Sequence, residues 1–140
     1  MVSADAAIFD WWRMGSSYSY LETSLSKEAG SQDPRVLADL EGLSPRHQAR
    51  LRSMMNLFRV VEVDGWLRYV DNVRSGDRSI PSYVTLDVHL GWRPMKQLEL
   101  SAVGQNLVEG HHGEFRGGLP PMPPLVEVKR GGYGRLTWRW

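Results

Sequence analysis

Residues 83–93 alternate between apolar and polar side chains without a break, and this run limits the possible fold more than any other part of the sequence. A period of two places successive side chains on opposite faces of a β-strand. The run therefore predicts a long strand with one apolar and one polar face. The apolar positions are Val84, Leu86, Val88, Leu90 and Trp92, and the others are Tyr83, Thr85, Asp87, His89, Gly91 and Arg93.

Five other segments show the same alternation with more interruptions. They lie near residues 11–21, 48–57, 61–69, 98–105 and 132–140. No stretch approaches the roughly 18 consecutive apolar residues that a membrane-spanning helix needs. We therefore predict an all-β fold, an antiparallel up-and-down meander of about six long strands. Residues 1–10 read as the remnant of a preceding strand and its turn, and residues 11–140 form the main unit.

The predicted connections differ in length in a regular way. The short ones span residues 58–60 and 94–97, and the long ones span residues 26–44, 71–82 and 108–127. Short turns at one end of the strands and long loops at the other are typical of outer-membrane barrels. In the first long loop, Asp33 followed by Pro34 predicts a single helical turn with the aspartate as N-cap.

Alternation of this kind also occurs in soluble β-sandwiches, whose strands face a core on one side and water on the other. Two observations favour lipid instead. Several predicted strands approach the ~9–11 residues needed to cross a bilayer at a tilt. Tryptophans also lie at the ends of the apolar stripes, where aromatic rings mark a membrane interface. We predict a periplasmic aromatic girdle that includes Trp12, Trp92, Trp138 and Trp140.

The opposite face is polar and rich in arginine. An arginine at the lipid midplane costs about 2–4 kcal/mol, and in the predicted register every arginine of the strands avoids that position. Any one of them alone would be read as a solvated surface charge. Together they predict a face that borders a wet lumen, with Arg13 and the lumen-facing residues Arg50, Arg52, Arg68, Asp87, His89, Arg93, Arg135 and Arg139.

Charge and composition argue against several classes of function. The 17 Lys and Arg residues nearly balance the 16 Asp and Glu residues, so there is no basic excess to hold nucleic acid. The chain has no cysteine, which excludes thiolate zinc sites and cysteine nucleophiles. No glycine-rich loop precedes a predicted helix, and no nucleophile stands at a convincing spacing from a base. We expect neither an enzyme nor a cofactor.

Two groups of residues have the chemical character of a site. His111, His112 and Glu114 are weak candidates for metal ligands, because adjacent histidines rarely reach one ion from a regular strand. An ordered surface loop is the simpler interpretation. Asp87 and His89 share the polar face of one predicted strand and could form an acid–base pair, although wall polarity explains them as well.

Six short motifs follow one another along the chain. They are Ser44-Pro45-Arg46-His47-Gln48-Ala49, Leu67-Arg68-Tyr69-Val70-Asp71, Tyr83-Val84-Thr85-Leu86-Asp87, Gly104-Gln105-Asn106-Leu107, His112-Gly113-Glu114-Phe115 and Tyr133-Gly134-Arg135-Leu136-Thr137-Trp138. The ordered set resembles the C-terminal β-barrel of TonB-dependent outer-membrane receptors, from about Trp11 to Trp140. The resemblance implies an open segment of a transmembrane barrel of about 22 strands. Such receptors import iron chelates, vitamins or sugars. A plug domain gates the barrel, and TonB drives the transport.

The resemblance also implies partners. These are outer-membrane lipid, the remaining barrel strands, the plug of a parent receptor and the barrel-assembly machinery. In such barrels a terminal aromatic residue after alternating apolar ones serves as the assembly signal, and Trp140, Trp138 and Leu136 match that pattern. Nothing in the sequence resembles a plug or a TonB-contacting segment. We therefore expect a receptor fragment, or a chain with a mis-assigned start, that does not act alone.

Two other hypotheses remain open at this stage. A soluble β-barrel or sandwich that binds an apolar ligand would turn Leu86, Val88 and Leu136 inward and leave Arg93 and Arg135 in water. A homo-oligomeric barrel, in which several copies close a pore, would form a defined, detergent-stable oligomer.

Overall fold

The long strands of the chain pair into one antiparallel sheet. A computed structural model describes residues 1–23, 44–75, 78–109, 111–114 and 126–140. Its strands are β1 (Val2–Phe9), β2 (Trp12–Tyr20), β3 (His47–Leu57), β4 (Val61–Val70), β5 (Val73–Ser75), β6 (Arg78–Ile80), β7 (Tyr83–Met95), β8 (Leu98–Gln105), β9 (His111–Glu114), β10 (Val126–Lys129) and β11 (Gly131–Trp138). The main sheet has seven strands in the order β1-β2-β3-β4-β7-β8-β11, and β5-β6 and β9-β10 form two separate hairpins.

The architecture agrees with the predicted open meander. The sheet is antiparallel throughout, and β1 and β11 each have a neighbour on one side only. The six predicted strands correspond to β2, β3, β4, β7, β8 and β11. Among the described residues there is no helix of the length and apolarity that a membrane crossing requires. The helical turn predicted at Asp33 and Pro34 lies outside the described residues.

Residues 1–10 contribute a seventh long strand. β1 pairs with β2 from Val2 opposite Tyr18 to Phe9 opposite Trp12, with a register irregularity between Ala7 and Phe9. Alternation is weak in this segment because three of its residues, Ala4, Ala6 and Ala7, are alanines, which fit either face of a sheet. The hydrogen bonds to β2 define this segment as a strand, whereas the alternation of its own residues does not.

Three tight turns lie at one end of the sheet. They join β1 to β2, β3 to β4, and β7 to β8. In the second, Phe58 and Arg59 have φ angles of 53° and 59°, and the Val60 N–H donates to the Leu57 carbonyl at 3.2 Å. Two consecutive residues with positive φ inside such a turn give the type I′ geometry, whose twist matches that of the flanking strands. This turn therefore fixes the register of β3 against β4.

Two of the connections predicted as long loops contain hairpins. β5 and β6 lie between β4 and β7, and β9 and β10 lie between β8 and β11. The buried hydrophobic residues of the described part are two cross-strand pairs at the first of these connections. They are Val70 opposite Tyr83, and Val73 opposite Ile80. The only core in the described part is thus a small one at the loop end of the sheet.

The pairing register brings the apolar positions of all seven long strands onto one face. One row runs Leu57–Val61–Trp92–Leu100–Leu136 across β3, β4, β7, β8 and β11. This face is not covered: Leu90 is 48% exposed and Leu136 is 65% exposed. A soluble sandwich would bury Leu136 against a second layer, and the described residues supply none.

Candidate functional site

The residues predicted to border a lumen, including Arg13, lie on the polar face of the sheet. Cross-strand pairing places Arg52 opposite Trp66 and Trp66 opposite Asp87, with His89 one row below, opposite Asp64. Arg93, Arg135 and Arg139 reach a common acidic partner on this side. The residues are therefore assembled on one surface. That this surface borders a lumen stays a prediction.

Near the tight turns, Glu99 forms ion pairs with three arginines, and we term this group the Glu99 cluster. Glu99 lies 3.6 Å from Arg93, 3.5 Å from Arg135 and 3.5 Å from Arg139, and Arg93 also reaches Glu62 at 3.0 Å. The arginines are largely exposed, whereas the Glu99 side chain is only 20% exposed. Exposed pairs stabilise little individually, but a network with a part-buried centre holds its members in place. The cluster joins β4, β7, β8 and β11.

Asp87 and His89 do not form the acid–base pair that their spacing suggested. His89 Nδ1 lies 3.4 Å from Asp64 Oδ2 on the neighbouring strand. Asp87 Oδ1 instead accepts a hydrogen bond from the Asn106 N–H at 2.9 Å. Each residue has its own partner, so the two do not share a proton. His89 links β7 to β4 through Asp64, and Asp87 links β7 to the backbone that follows β8.

The Gly104–Leu107 motif ends β8 by a backbone reversal at Asn106. This residue has a φ of 55° and is 7% exposed. Asparagine is among the few residues that tolerate this left-handed conformation. Its Nδ2 donates to the Lys129 carbonyl at 3.3 Å, and the guanidinium of Arg130 donates to the Asn106 and Leu107 carbonyls. The motif thus ties the end of β8 to the chain entering β11, a role that the sequence alone did not indicate.

A second part of the polar face, towards the loop end, contains three arginines without acidic partners. It is a hollow of about 520 Å³, which we term the arginine hollow. Arg50 stands directly opposite Arg68, and the Arg52 guanidinium lies 5.6 Å from the centroid of the Trp66 ring. The Arg68 Nε is buried and has no hydrogen-bond partner. The lining includes Ser3, Asp5, Ser17, Arg50, Arg52, Trp66, Arg68, Thr85 and Asp87.

Three of the predicted aromatic residues, Trp12, Trp92 and Trp138, lie on the other face, at the end of the sheet that carries the tight turns. Trp92 is paired with Leu100, and Trp138 with Leu98. Trp12 stacks with two aromatic residues that the prediction omitted, Phe9 at 6.2 Å and Trp11 at 6.1 Å between ring centroids. The prediction omitted them because residues 1–10 show no clear alternation, and Trp11 lies in the turn between β1 and β2. Trp140 is fully exposed beyond β11.

The candidate metal ligands lie in β9. His111 and His112 pair with Lys129 and Val128 of β10, and Glu114 pairs with Val126. The side chains of His111, His112 and Glu114 lie outside the described part. Elsewhere among the described residues, no three histidine, aspartate or glutamate side chains come together as metal ligands would.

Comparison with known proteins identifies one family. The model of the family described as "TonB dependent receptor-like, beta-barrel" matches residues 2–107. The matched region begins earlier than the resemblance expected from the sequence, because it includes β1, and it ends after the Gly104–Leu107 motif. Neither the curated proteins nor the solved structures gave a match.

Proposed function

Because the chain belongs to the TonB-dependent receptor-like β-barrel family, we propose that it forms part of the wall of an outer-membrane receptor that imports a ligand. Members of this family are receptors and transporters of the outer membrane rather than enzymes. One observation carries the proposal: a single sheet presents an uncovered apolar face on one side and an arginine-rich polar face on the other. A barrel wall between lipid and a wet lumen requires both faces.

The apolar face supports the assignment to lipid. Trp92 and Leu136 are 50% and 65% exposed, respectively. Soluble monomers rarely leave a contiguous apolar surface of this kind uncovered. In a membrane it would meet hydrocarbon, and the tryptophans near the tight turns would lie at the periplasmic interface.

The open edges support the need for further strands. The free edges of β1 and β11 present unpaired backbone N–H and C=O groups. In hydrocarbon each such group costs several kcal/mol, so both edges must be paired there, by further strands in a receptor or by other copies of the chain in vesicles. We propose that the remaining strands of a parent receptor pair with these edges and that its plug fills the lumen. The barrel-assembly machinery would recognise Leu136, Trp138 and Trp140.

The proposal is tested by asking which tryptophan meets lipid. Two variants of the full chain each keep one tryptophan, Trp92 of the apolar face or Trp66 of the polar face, with the others replaced by phenylalanine. Each is mixed with phospholipid vesicles that carry quenchers at known depths. We expect Trp92 to be quenched at interfacial depth and Trp66 to be quenched by aqueous iodide instead.

The Trp66 variant serves as the matched control, since the two variants differ only in whether the remaining tryptophan lies on the polar or the apolar face. A folded chain in which lipid quenches neither tryptophan would contradict the proposal and favour a soluble β-protein. Equal lipid quenching of both would contradict the assignment of the two faces.

A further inference from the structure

The arginine hollow differs from the rest of the polar face in having no internal neutralisation. Near the tight turns, Arg93, Arg135 and Arg139 share Glu99. In the described part of the chain, by contrast, Arg50, Arg52 and Arg68 form no ion pair with any carboxylate. Three positive charges therefore lie together on one side of the sheet without an ion-paired carboxylate among the described residues.

The pairing of like charges within the hollow is electrostatically unfavourable. Arg50 and Arg68 are a direct cross-strand pair, and like charges in that position destabilise a sheet. The row that contains them runs Ser3–Ser17–Arg50–Arg68–Thr85 and has no acidic member. An anion bound between the two guanidinium groups would turn this repulsion into attraction.

Among the described residues, neither carboxylate of the lining forms an ion pair with the three arginines. Asp5 belongs to the strand beyond β2, and its Oδ1 lies over Gly15, the residue opposite Arg52. Asp87 is a diagonal neighbour of Arg68 on the adjacent strand. Asp87 is moreover engaged by the Asn106 N–H. The centre of the hollow is thus basic, and its acidic residues lie at its sides.

The chemistry of the lining fits a small anionic ligand. Guanidinium groups bind carboxylate and phosphate oxygens through paired N–H donors. No internal hydrogen bond through Nε holds the Arg68 guanidinium. The hydroxyls of Ser17 and Thr85 flank the arginine pair in the same row. Trp66 adds a flat ring on which Arg52 rests. The volume of about 520 Å³ lies within the range of small-molecule sites.

The position of the hollow along the strands suits an incoming ligand. Arg50 is near the start of β3 and Arg68 near the end of β4, both towards the long connections. Glu99 is at the start of β8, beside a tight turn. In the proposed barrel the long connections face the outside, so a ligand would meet the arginine hollow before it reached the Glu99 cluster.

We propose that the arginine hollow binds the carboxylate or phosphate groups of an anionic ligand, with Arg50 and Arg68 as its principal contacts. This inference rests on the proposed function and narrows it, because it selects anionic ligands over neutral sugars. Arg52 and Trp66 hold the planar part of the ligand.

The test measures binding to the full chain inserted in vesicles, with two probes and one neutral control. The probes are trimesate, a benzene ring that carries carboxylates, and inorganic pyrophosphate; the control is sucrose. We expect at least one probe to bind with an affinity that falls as salt rises, while sucrose does not bind. Stronger binding of trimesate, with a change in Trp66 fluorescence, identifies carboxylates; stronger binding of pyrophosphate identifies phosphates.

Arg50→Gln and Arg68→Gln should each weaken binding roughly tenfold or more, the effect of losing a charged hydrogen bond. Arg13→Gln is the matched control, since Arg13 lies on the same face but outside the hollow, and should change binding less than about twofold. Neither hollow variant should lower the melting temperature, because each removes a like-charge repulsion. A purely structural role would lower it.

Three results would overturn the inference. They are binding of neither probe, equal binding by the hollow variants and the parent chain, and an equal loss of binding in Arg13→Gln. If the chain inserts into vesicles, as Trp92 quenching reports, these results leave the proposed function intact. If it does not insert, the proposed function fails and the inference fails with it.

Discussion

The two faces of the sheet are built from the same strands but are stabilised in opposite ways. The polar face is cross-linked by side chains: Glu99 to three arginines, Asp64 to His89, and Asp87 to the Asn106 backbone. On the apolar face, Trp12 Nε1 donates to Ser53 Oγ at 2.9 Å, and the other side-chain hydrogen bonds of the described residues there come from tyrosine hydroxyls near the loop end, those of Tyr18, Tyr20 and Tyr69. Its residues otherwise remain exposed and without a partner layer. The polar face thus supplies its own contacts, whereas the apolar face depends on a surrounding medium.

The largest expected effect comes from adding a charge to each face at adjacent positions of β8. Ala102 pairs with Leu90 and Gly134 on the apolar face, and Val103 pairs with His89 and Tyr133 on the polar face. Ala102→Arg should destabilise the vesicle-inserted chain by about 2–4 kcal/mol, because the charge would lie in hydrocarbon. Val103→Arg should have a much smaller effect although it removes the larger apolar side chain.

Urea titration of both variants in vesicles measures this difference. Hydrophobicity alone would rank the two substitutions in the reverse order, so the pair separates a lipid-facing position from a merely apolar residue. A larger loss in Val103→Arg would contradict the assignment of the faces.

A smaller effect is expected at Asn106, which joins the polar face to the chain entering β11. Asn106→Ala should destabilise the protein by about 1–3 kcal/mol, because it places an L side chain at positive φ and removes the bond to the Lys129 carbonyl. Asn106→Gly keeps the accessible φ and loses only that bond, so it should be less destabilising. The comparison again uses urea titration, and equal losses would mean that backbone strain has no part in the effect.

The smallest effect is expected in the Glu99 cluster. Glu99→Gln removes the charge that three arginines share and should destabilise by about 1 kcal/mol at low salt, since the arginines are mostly exposed and screened. Glu62→Gln breaks a single pair with Arg93 and should have less effect. Thermal unfolding at two salt concentrations measures both. A loss that did not shrink at high salt would contradict an electrostatic origin.

Alternation in the sequence was sufficient to predict six of the long strands and to divide their residues between the two faces. Residues 83–93 specify their own orientation because every position agrees with the period of two. β1 lacked that signal since its alanines suit either face. The β5-β6 hairpin was missed because its strands have three residues each, too few for a period to show.

The site was less predictable because it depends on register between strands. The sequence placed Arg50 and Arg68 on the polar face, but not opposite each other. Their pairing follows from the tight turn at residues 57–60, where two non-glycine residues take positive φ. Without glycine or asparagine at those positions, the sequence gives little sign of that turn type. The hydrogen bond from Asn106 to Asp87 likewise requires the fold.

The most direct test of the two-faced wall is a cysteine scan of β7. The chain has no cysteine, so single cysteines introduced from residue 84 to residue 92 report without background. In vesicles, a water-soluble maleimide should label positions 85, 87, 89 and 91 and should leave 84, 86, 88, 90 and 92 largely unreacted, because alternate side chains face water and lipid. Uniform labelling, or preferential labelling of the apolar positions, would contradict a wall between lipid and lumen.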